Sequence, residues 1–288
     1  MAKIEIKENI DMFRCPICGK RMETDDLKSI VCLNKHCFDL SKKGYVNFLL
    51  SPVKTDYDKK MFASRRIIFD SGFFDPMMEQ VSELIIEKAH NKYVDKIKIL
   101  DAGCGEGSHL AQLISNLCGE TGANIQGVGI DISKEGIQIA ARKYPESIWC
   151  VANLAKTPFT DKQFNMILNI LSPSNYAEFN RIIKEDGILV KIVPGDNYLK
   201  ELRSAFYKQT DKGTYSNERV VKLFSDKFEI LAVRQILYTM TVKENIEHLV
   251  KMTPLSWGAA DEKIQKVLDY GLNNITVDLS VILGKKKS

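Results

Sequence analysis

Two groups of residues in this chain have the types and spacing of chemistry. The first is Cys15-Pro16-Ile17-Cys18, followed after thirteen intervening residues by Cys32-Leu33-Asn34-Lys35-His36-Cys37. Two thiolates separated by two residues can grip one metal ion from a tight turn. A second pair across a short hairpin completes a tetrahedron, the geometry of structural zinc. Spacing leaves the fourth ligand open, because His36 would give a Cys3His site and Cys37 an all-Cys one. Either way the coordination sphere is closed, which argues against zinc chemistry. The second group is Asp101-Ala102-Gly103-Cys104-Gly105-Glu106-Gly107, an acid and three glycines between an apolar stretch and a helical pattern. Glycines there let a ligand lie on the backbone, where a Cβ would block both the turn and the approach. The spacing G-x-G-x-G is not the G-x-G-x-x-G of nicotinamide-binding folds, and no hydride-transfer constellation accompanies it.

The elements that must position these groups follow from periodicity. Lys28–Val31 reads as a strand leading into the second metal pair. Ser41 to Leu50 mixes lysines with Tyr45 and Phe48, which fits either an RNA-lining surface or a strand packed beneath the metal module. Residues 51–58, polar and broken by Pro52, read as linker. A helix is expected over Lys60–Asp70, carrying Arg65 and Arg66 and stopped at Gly72. A second starts at Asp75-Pro76 and buries Met77, Met78, Val81, Leu84, Ile85 and Ala89. Strands then alternate with helices: Ile97–Leu100, Ile125–Ile130, Ile148–Val151, Phe164–Leu168 and Gly187–Val193, with later β-rich runs at Phe228–Tyr238 and Ile275–Leu283. A helix over Ser133–Tyr144, stopped at Pro145, links the second and third. The pattern predicts an α/β fold, a doubly wound, Rossmann-like seven-stranded sheet with a small N-terminal zinc-binding module. The boundaries expected are 1–40 for the zinc-binding module, to which the resemblance given below assigns RNA recognition, 41–59 for a linker and 60–288 for the large domain.

Ligands in such sheets sit at the carboxyl ends of the strands. The acid followed by closely spaced glycines resembles the first motif of S-adenosylmethionine-dependent methyltransferases, which makes Asp101, Gly103, Gly105, Glu106 and Gly107 candidate cofactor contacts. Asp131, at the end of the second strand, is placed to accept hydrogen bonds from both ribose hydroxyls. Asn153, after the third, is placed for the adenine amino group, and Ile132 and Leu154 can sandwich the ring. Asn169 and Ser172-Pro173 form the loop where the methyl group would emerge.

Taken in order, the zinc pairs, Gly44-Tyr45-Val46-Asn47, Asp101–Gly107, Ser172-Pro173 and Met252-Thr253-Pro254 with Trp257 resemble the bacterial 23S ribosomal RNA guanine-N1 methyltransferases. The resemblance runs from Cys15 to about Trp257. It implies zinc on Cys15, Cys18, Cys32 and His36, and cofactor contacts at Gly105, Glu106, Phe74 and Tyr198. Phe74 stands where some relatives carry Tyr, and Tyr198 where some carry His. It also implies a homodimer and a 23S rRNA hairpin loop as partner. Guanine N1 holds a proton near neutral pH, so methylation needs a base or stabilisation of charge on O6. Residue types do not identify the base. Asn169 and Ser172 can orient a guanine, Arg65 or Arg66 can serve O6 or a phosphate, and His109, expected at the surface, and His248 are candidates by chemistry alone. The competing readings are a small-molecule methyltransferase with a structural zinc ribbon and a nucleic-acid-binding regulator that uses the cofactor only as a structural ligand.

Composition bounds the rest. The 288 residues suffice for one large domain and an appendage, and 44% hydrophobic with 27% charged residues is ordinary globular chemistry. No apolar run approaches the ~18 residues of a membrane span. The first eight residues alternate charged and apolar types without a signal-peptide core, so a cytoplasmic location is expected. Seven cysteines, clustered and odd in number, argue against a disulfide framework. The first 60 residues carry 12 Lys/Arg against 9 Asp/Glu, so most of the net +4 lies beside the metal motif. That surplus is compatible with a polyanionic partner.

Overall fold

Local signals set the boundaries of the elements that carry the site. Asp58 Oδ1 accepts the Met61 N–H at 2.7 Å and starts the arginine-bearing helix, and the Ser133 hydroxyl accepts the Gly136 N–H at 3.3 Å to start the helix after Asp131. The structure is a computed structural model, and it describes residues 2–24, 27–53, 57–88, 96–207 and 216–287. Ala89, expected to end the second helix, lies outside them, as do residues 54–56 of the expected linker.

Helix α1 (Ala2–Glu8) leads to three short strands, β1 (Met22–Glu23), β2 (Ser29–Cys32) and β3 (Cys37–Asp39), paired antiparallel in that order. Strand β4 (Tyr45–Asn47) follows, then helices α2 (Lys59–Asp70) and α3 (Asp75–Lys88). The alternating part comprises β5 (Ile97–Ala102), α4 (Ser108–Thr121), β6 (Ile125–Asp131), α5 (Lys134–Lys143), β7 (Ile148–Val151), β8 (Phe164–Ile170), α6 (Tyr176–Ile182) and β9 (Ile183–Pro194). The chain continues through α7 (Lys200–Tyr207), α8 (Glu218–Lys227), β10 (Phe228–Thr241), α9 (Ile246–Met252), α10 (Asp261–Asp269) and β11 (Asn274–Lys286).

The main sheet has the order β10-β11-β9-β8-β5-β6-β7-β4. Strands β4 to β9 are mutually parallel, and β11 and β10 join antiparallel at one end. Chain order reverses at β5, which has β6 on one side and β8 on the other. That is a topological switch point, where ligands of such sheets bind. The seven expected strands are β5 to β11. The eighth, β4, lies within residues 41–59, where a linker was expected.

The reason is visible in the packing. Strand β4 pairs with β7 in register Tyr45↔Trp149 to Asn47↔Val151, so this segment closes the sheet edge. Val46 and Phe48 are buried with Phe13, Phe38 and Phe159 on one face of the sheet, and the Phe48 ring lies 5.5 Å from Phe13 and 5.2 Å from Phe38. Tyr45 points to the other face, where its hydroxyl accepts a hydrogen bond from Gln138. Neither ring is free to stack on RNA. A lysine-flanked aromatic run scans alike whether its rings face solvent or a core, and burial decided the matter.

The same packing joins the metal module to the large domain. Ile6, Met12, Phe13, Met22 and Ile30 share one apolar cluster with Leu100, Val128, Ile148 and Phe159 of the large domain. The module therefore covers part of one sheet face, beside α6 and α8, as a helix would elsewhere. Helices α3, α4 and α5 cover the other face. Each fully buried large side chain contributes roughly 1.5–3 kcal/mol, so several of them make this docking a core, not a tether.

Candidate active site and metal centre

The metal cluster assembles from two turns. Cys15 and Cys18 come from the loop closed by the bond from Gly19 N–H to Cys15 O, and Cys32 and His36 flank the turn between β2 and β3. The ligand atoms of Cys15, Cys18, Cys32 and His36 all lie within 4.8 Å of one another. Cys18 and Cys32 sulfurs are 3.7 Å apart, and His36 Nδ1 is 3.5 Å from Cys15 Sγ and 3.4 Å from Cys32 Sγ. A tetrahedron with Zn–S bonds of about 2.3 Å has S–S edges of about 3.8 Å, so the donors fit zinc. The Lys20 N–H held against Cys18 lowers its thiol to about 6, toward the thiolate a metal requires. Cys37 opens β3 with its side chain exposed and stands outside the cluster. The ambiguity left by spacing is resolved for His36.

At the switch point, a cavity of about 780 Å³ opens beside the glycine loop, within the size range of small-molecule sites. The loop is built for close contact. Gly103 has φ +87°, and a Cβ there would fall 1.9 Å from the Ser172 hydroxyl. Asp131 Oδ2 accepts the Gly105 N–H and Oδ1 the Ser133 N–H, both at 2.8 Å, which fixes the loop against α5. Each oxygen keeps a second lone pair. Gly107 serves packing, because a Cβ there would strike the buried Trp149 at 2.5 Å.

The cavity gathers Arg65, Phe74, Gly103, Gly105, Asp131 and Ile132 with Asn153, Leu154, Ser172 and Tyr198. Met252, Thr253, Pro254 and Leu255 line it from α9 onward, and Tyr57 stands at its wall with its ring 5.2 Å from Trp257. Asn153 is exposed, and its Oδ1 accepts the Ala155 N–H.

Six candidate residues do not line the cavity. Asp101 is buried beneath the loop, its Oδ1 without a partner among the described residues, and burial pushes its carboxyl up to about 7. Glu106 turns inward to the Ser108 hydroxyl at 2.5 Å and to Arg65 at 3.9 Å. Gly107 faces Trp149. Asn169 is fully buried, with its amide donating to Ala102 O and Pro173 O and its oxygen accepting from Ser174 and Lys191. Arg66 turns away to pair with Asp70 at 3.3 Å. Its neighbour Arg65 points in, because adjacent helical residues leave on different faces. His248 hydrogen-bonds Ser64 outside the cavity.

Several cavity residues are not evident from sequence alone. His109, expected at the surface, is buried against Phe74 with Nδ1 3.3 Å from Arg65, and burial holds its pKa well below the usual value. Its Nε2, the Tyr176 hydroxyl and Arg203 Nε are buried cavity-wall atoms without partners among the described residues. Lys191 lines the cavity at 4% exposure. A charged residue inside Ile188-Leu189-Val190-Lys191-Ile192-Val193 was the signal that could have found it.

Comparison with known proteins gives this geometry its context. Residues 13–57 match the zinc-ribbon family described as "RlmA, N-terminal", and residues 94–252 match the "Methyltransferase domain" family. The chain is 42% identical, over 98% of its length and 100% of the other, to a Bacillus subtilis (strain 168) protein, YxjB, provisionally named a 23S rRNA (guanine-N(1)-)-methyltransferase. It belongs to that methyltransferase family. A second relative, the 23S rRNA (guanine(748)-N(1))-methyltransferase of Streptomyces fradiae, is 28% identical over 95% of this chain and 96% of its own. Among solved structures, loganic acid methyltransferase with SAH has a TM-score of 0.54 at 14% identity, covering 82% of this chain and 99% of that one, a likeness of fold alone.

The cofactors of this methyltransferase are S-adenosylmethionine and zinc. The site fits the first on its own electrostatics. Burial raises Asp101 most, and the charges of Asp131 and Glu106 raise it further, with Arg65 the opposing cation. Carboxyls at Asp101 and Asp131 whose pKa burial raises, with Arg65 as their opposing cation, suit a ligand that brings positive charge, as the ammonium and sulfonium of the cofactor would.

Proposed function

We propose that this methyltransferase transfers a methyl group from S-adenosylmethionine to N1 of a guanine in 23S ribosomal RNA. One observation carries the reading: the glycine loop, Ser172 and the Met252–Leu255 segment converge on one cavity, in a domain whose sheet face is roofed by the zinc module. The two relatives described above carry this activity in their names.

In this reading Asp131 accepts from the ribose hydroxyls through its spare lone pairs, and Ile132 and Leu154 hold the adenine with Asn153 at its edge. Gly103 and Gly105 offer backbone, and Phe74 and Tyr198 cover the methionine end. Asp101 and Glu106 act from beneath, by charge. Arg65 faces the same cavity and can hold a carboxylate or O6. Asn169 is a positioning residue, since it ties Ala102 to Pro173 and fixes the loop carrying Ser172. The cofactor supplies a methyl group already activated for displacement, so the protein's share is positioning, exclusion of water and management of the N1 proton.

An N1 atom in a Watson–Crick pair is unreachable, so the acceptor is an unpaired guanine, for which a hairpin loop is the natural source. The zinc module grips the surrounding RNA through phosphates. Ribosomal RNA as substrate implies a cytoplasmic enzyme, and no described helix is long and apolar enough to cross a membrane. A homodimer, implied by the family, is tested by analytical ultracentrifugation. The substrate is tested by supplying labelled S-adenosylmethionine with deproteinised rRNA. Label in RNA supports the reading, and label that needs a small-molecule acceptor instead favours the alternative of a zinc-stabilised small-molecule methyltransferase.

A further inference from the structure

Residue types alone do not reveal what removes the N1 proton, but the cavity contains a group built for it. Lys191 sits near the carboxyl end of β9, paired in register with Asn169 of β8, beside the switch point. Its Nζ donates to Asn169 Oδ1 and to Ser172 O, both at 2.5 Å. Ser172 in turn fills the space against Gly103. The amine is therefore held by the loop that borders the cofactor motif.

We infer that Lys191, as the neutral amine, is the general base that takes the N1 proton of the target guanine. Three observations support this assignment, which rests on the reading of the enzyme as an N1 methyltransferase. The two acceptors match the two N–H groups of a neutral amine, which leaves its lone pair for the cavity that Lys191 lines. No ion pair engages Lys191 among the described residues. The ionisable and charged groups on the neighbouring elements are Asp101, Asp131, Arg65, Tyr176, Tyr198 and Arg203, with His109 deeper in the wall. None of them hydrogen-bonds it. Burial lowers its pKa to about 8, within the range enzymes use for lysine bases. A sulfonium charge in the same cavity disfavours the ammonium further.

The step balances. The N1 proton passes to the Lys191 lone pair. The electron pair left on N1 forms the bond to the methyl carbon as the carbon–sulfur bond breaks, and the pair of the broken bond stays on sulfur. The ammonium later returns its proton to water.

The test uses full-length enzyme, S-adenosylmethionine and the rRNA that it modifies, under single-turnover conditions. Wild type should show a rate that rises with pH and levels off above about pH 8. Lys191→Met and Lys191→Arg should each lose roughly 100- to 10,000-fold in rate. Cofactor and RNA affinity, measured by calorimetry and filter binding, should stay within about threefold, which also verifies folding. In Lys191→Ala, added small primary amines should restore part of the rate in proportion to their free-base fraction. In wild type carrying 13C-methylated lysines, one buried lysine signal, missing from Lys191→Arg, should titrate near pH 8. A Lys191→Met rate within threefold of wild type, or a variant defect that no amine rescues and that comes with weakened cofactor affinity, would overturn the assignment. Failure of the underlying reading would show in the wild type itself, as methylation of another atom or none.

Discussion

The proposed cofactor site leans on Asp131 more than on any other side chain. Its two oxygens already hold the Gly105 and Ser133 N–H groups, so loss of the carboxylate should loosen the loop and remove the proposed ribose acceptor together. A hydrogen bond to a charged group is worth about 1.5–3 kcal/mol, so Asp131→Ala should weaken S-adenosylmethionine roughly 10- to 100-fold by calorimetry. Unchanged affinity would remove Asp131 from the site. At this scale the sequence was legible where backbone geometry and strand ends decide what borders the cavity, as at Gly103 and Asp131. It was less legible where a residue's direction decides. Arg65 and Arg66 are indistinguishable in sequence, yet one faces the cavity and the other Asp70. Asn169 has the right position and chemistry but spends both ends of its amide on the fold. His109 sits in the first turn of α4, where pattern alone cannot tell a buried imidazole from an exposed one.

Among the elements, the metal module and β4 depart most from a tethered appendage. Zinc holds the turn before β1 against the turn between β2 and β3, and that knuckle supports the apolar layer of Met12, Phe13 and Met22 on the sheet. Removing the metal should therefore destabilise more than the first forty residues. Cys32→Ser should lose bound zinc in metal analysis and lower the Tm by roughly 10 °C, the shift expected from several kcal/mol in a chain of this size. Cys37→Ser, exposed and outside the cluster, should keep its zinc and its Tm. Loss of zinc from Cys37→Ser would move the fourth ligand back to that residue. The seven strands β5 to β11 were legible as apolar or β-rich runs, most of them beside a helix signal. Strand β4 was legible only as one of two readings of Ser41–Leu50, since three residues of Tyr-Val-Asn carry little periodicity and their partner β7 lies about a hundred residues away.

For the whole molecule, the shared core changes how RNA recognition can be tested. Deleting residues 1–40 would bare Phe159, Ile148 and Val128, so the truncated chain would report on stability as much as on RNA. Surface charge is the cleaner probe. Lys20, Lys35 and Lys42 are exposed on or beside the module. Replacing all three with Glu should weaken rRNA binding, and it should flatten the dependence of log affinity on log salt by about 0.7 for each phosphate no longer neutralised. S-adenosylmethionine affinity should not change, because these lysines lie away from the cavity lining. An unaltered salt dependence would place the RNA elsewhere.

The most direct test of the central claim is a reverse-transcription stop map of deproteinised 23S rRNA incubated with the enzyme and S-adenosylmethionine. N1 methylation blocks base pairing, so the account predicts one new stop, at a single unpaired guanine, dependent on cofactor and weakened in Asp131→Ala at limiting cofactor. Label incorporated into the RNA without a stop, stops at many positions, or no transfer to RNA at all would contradict it.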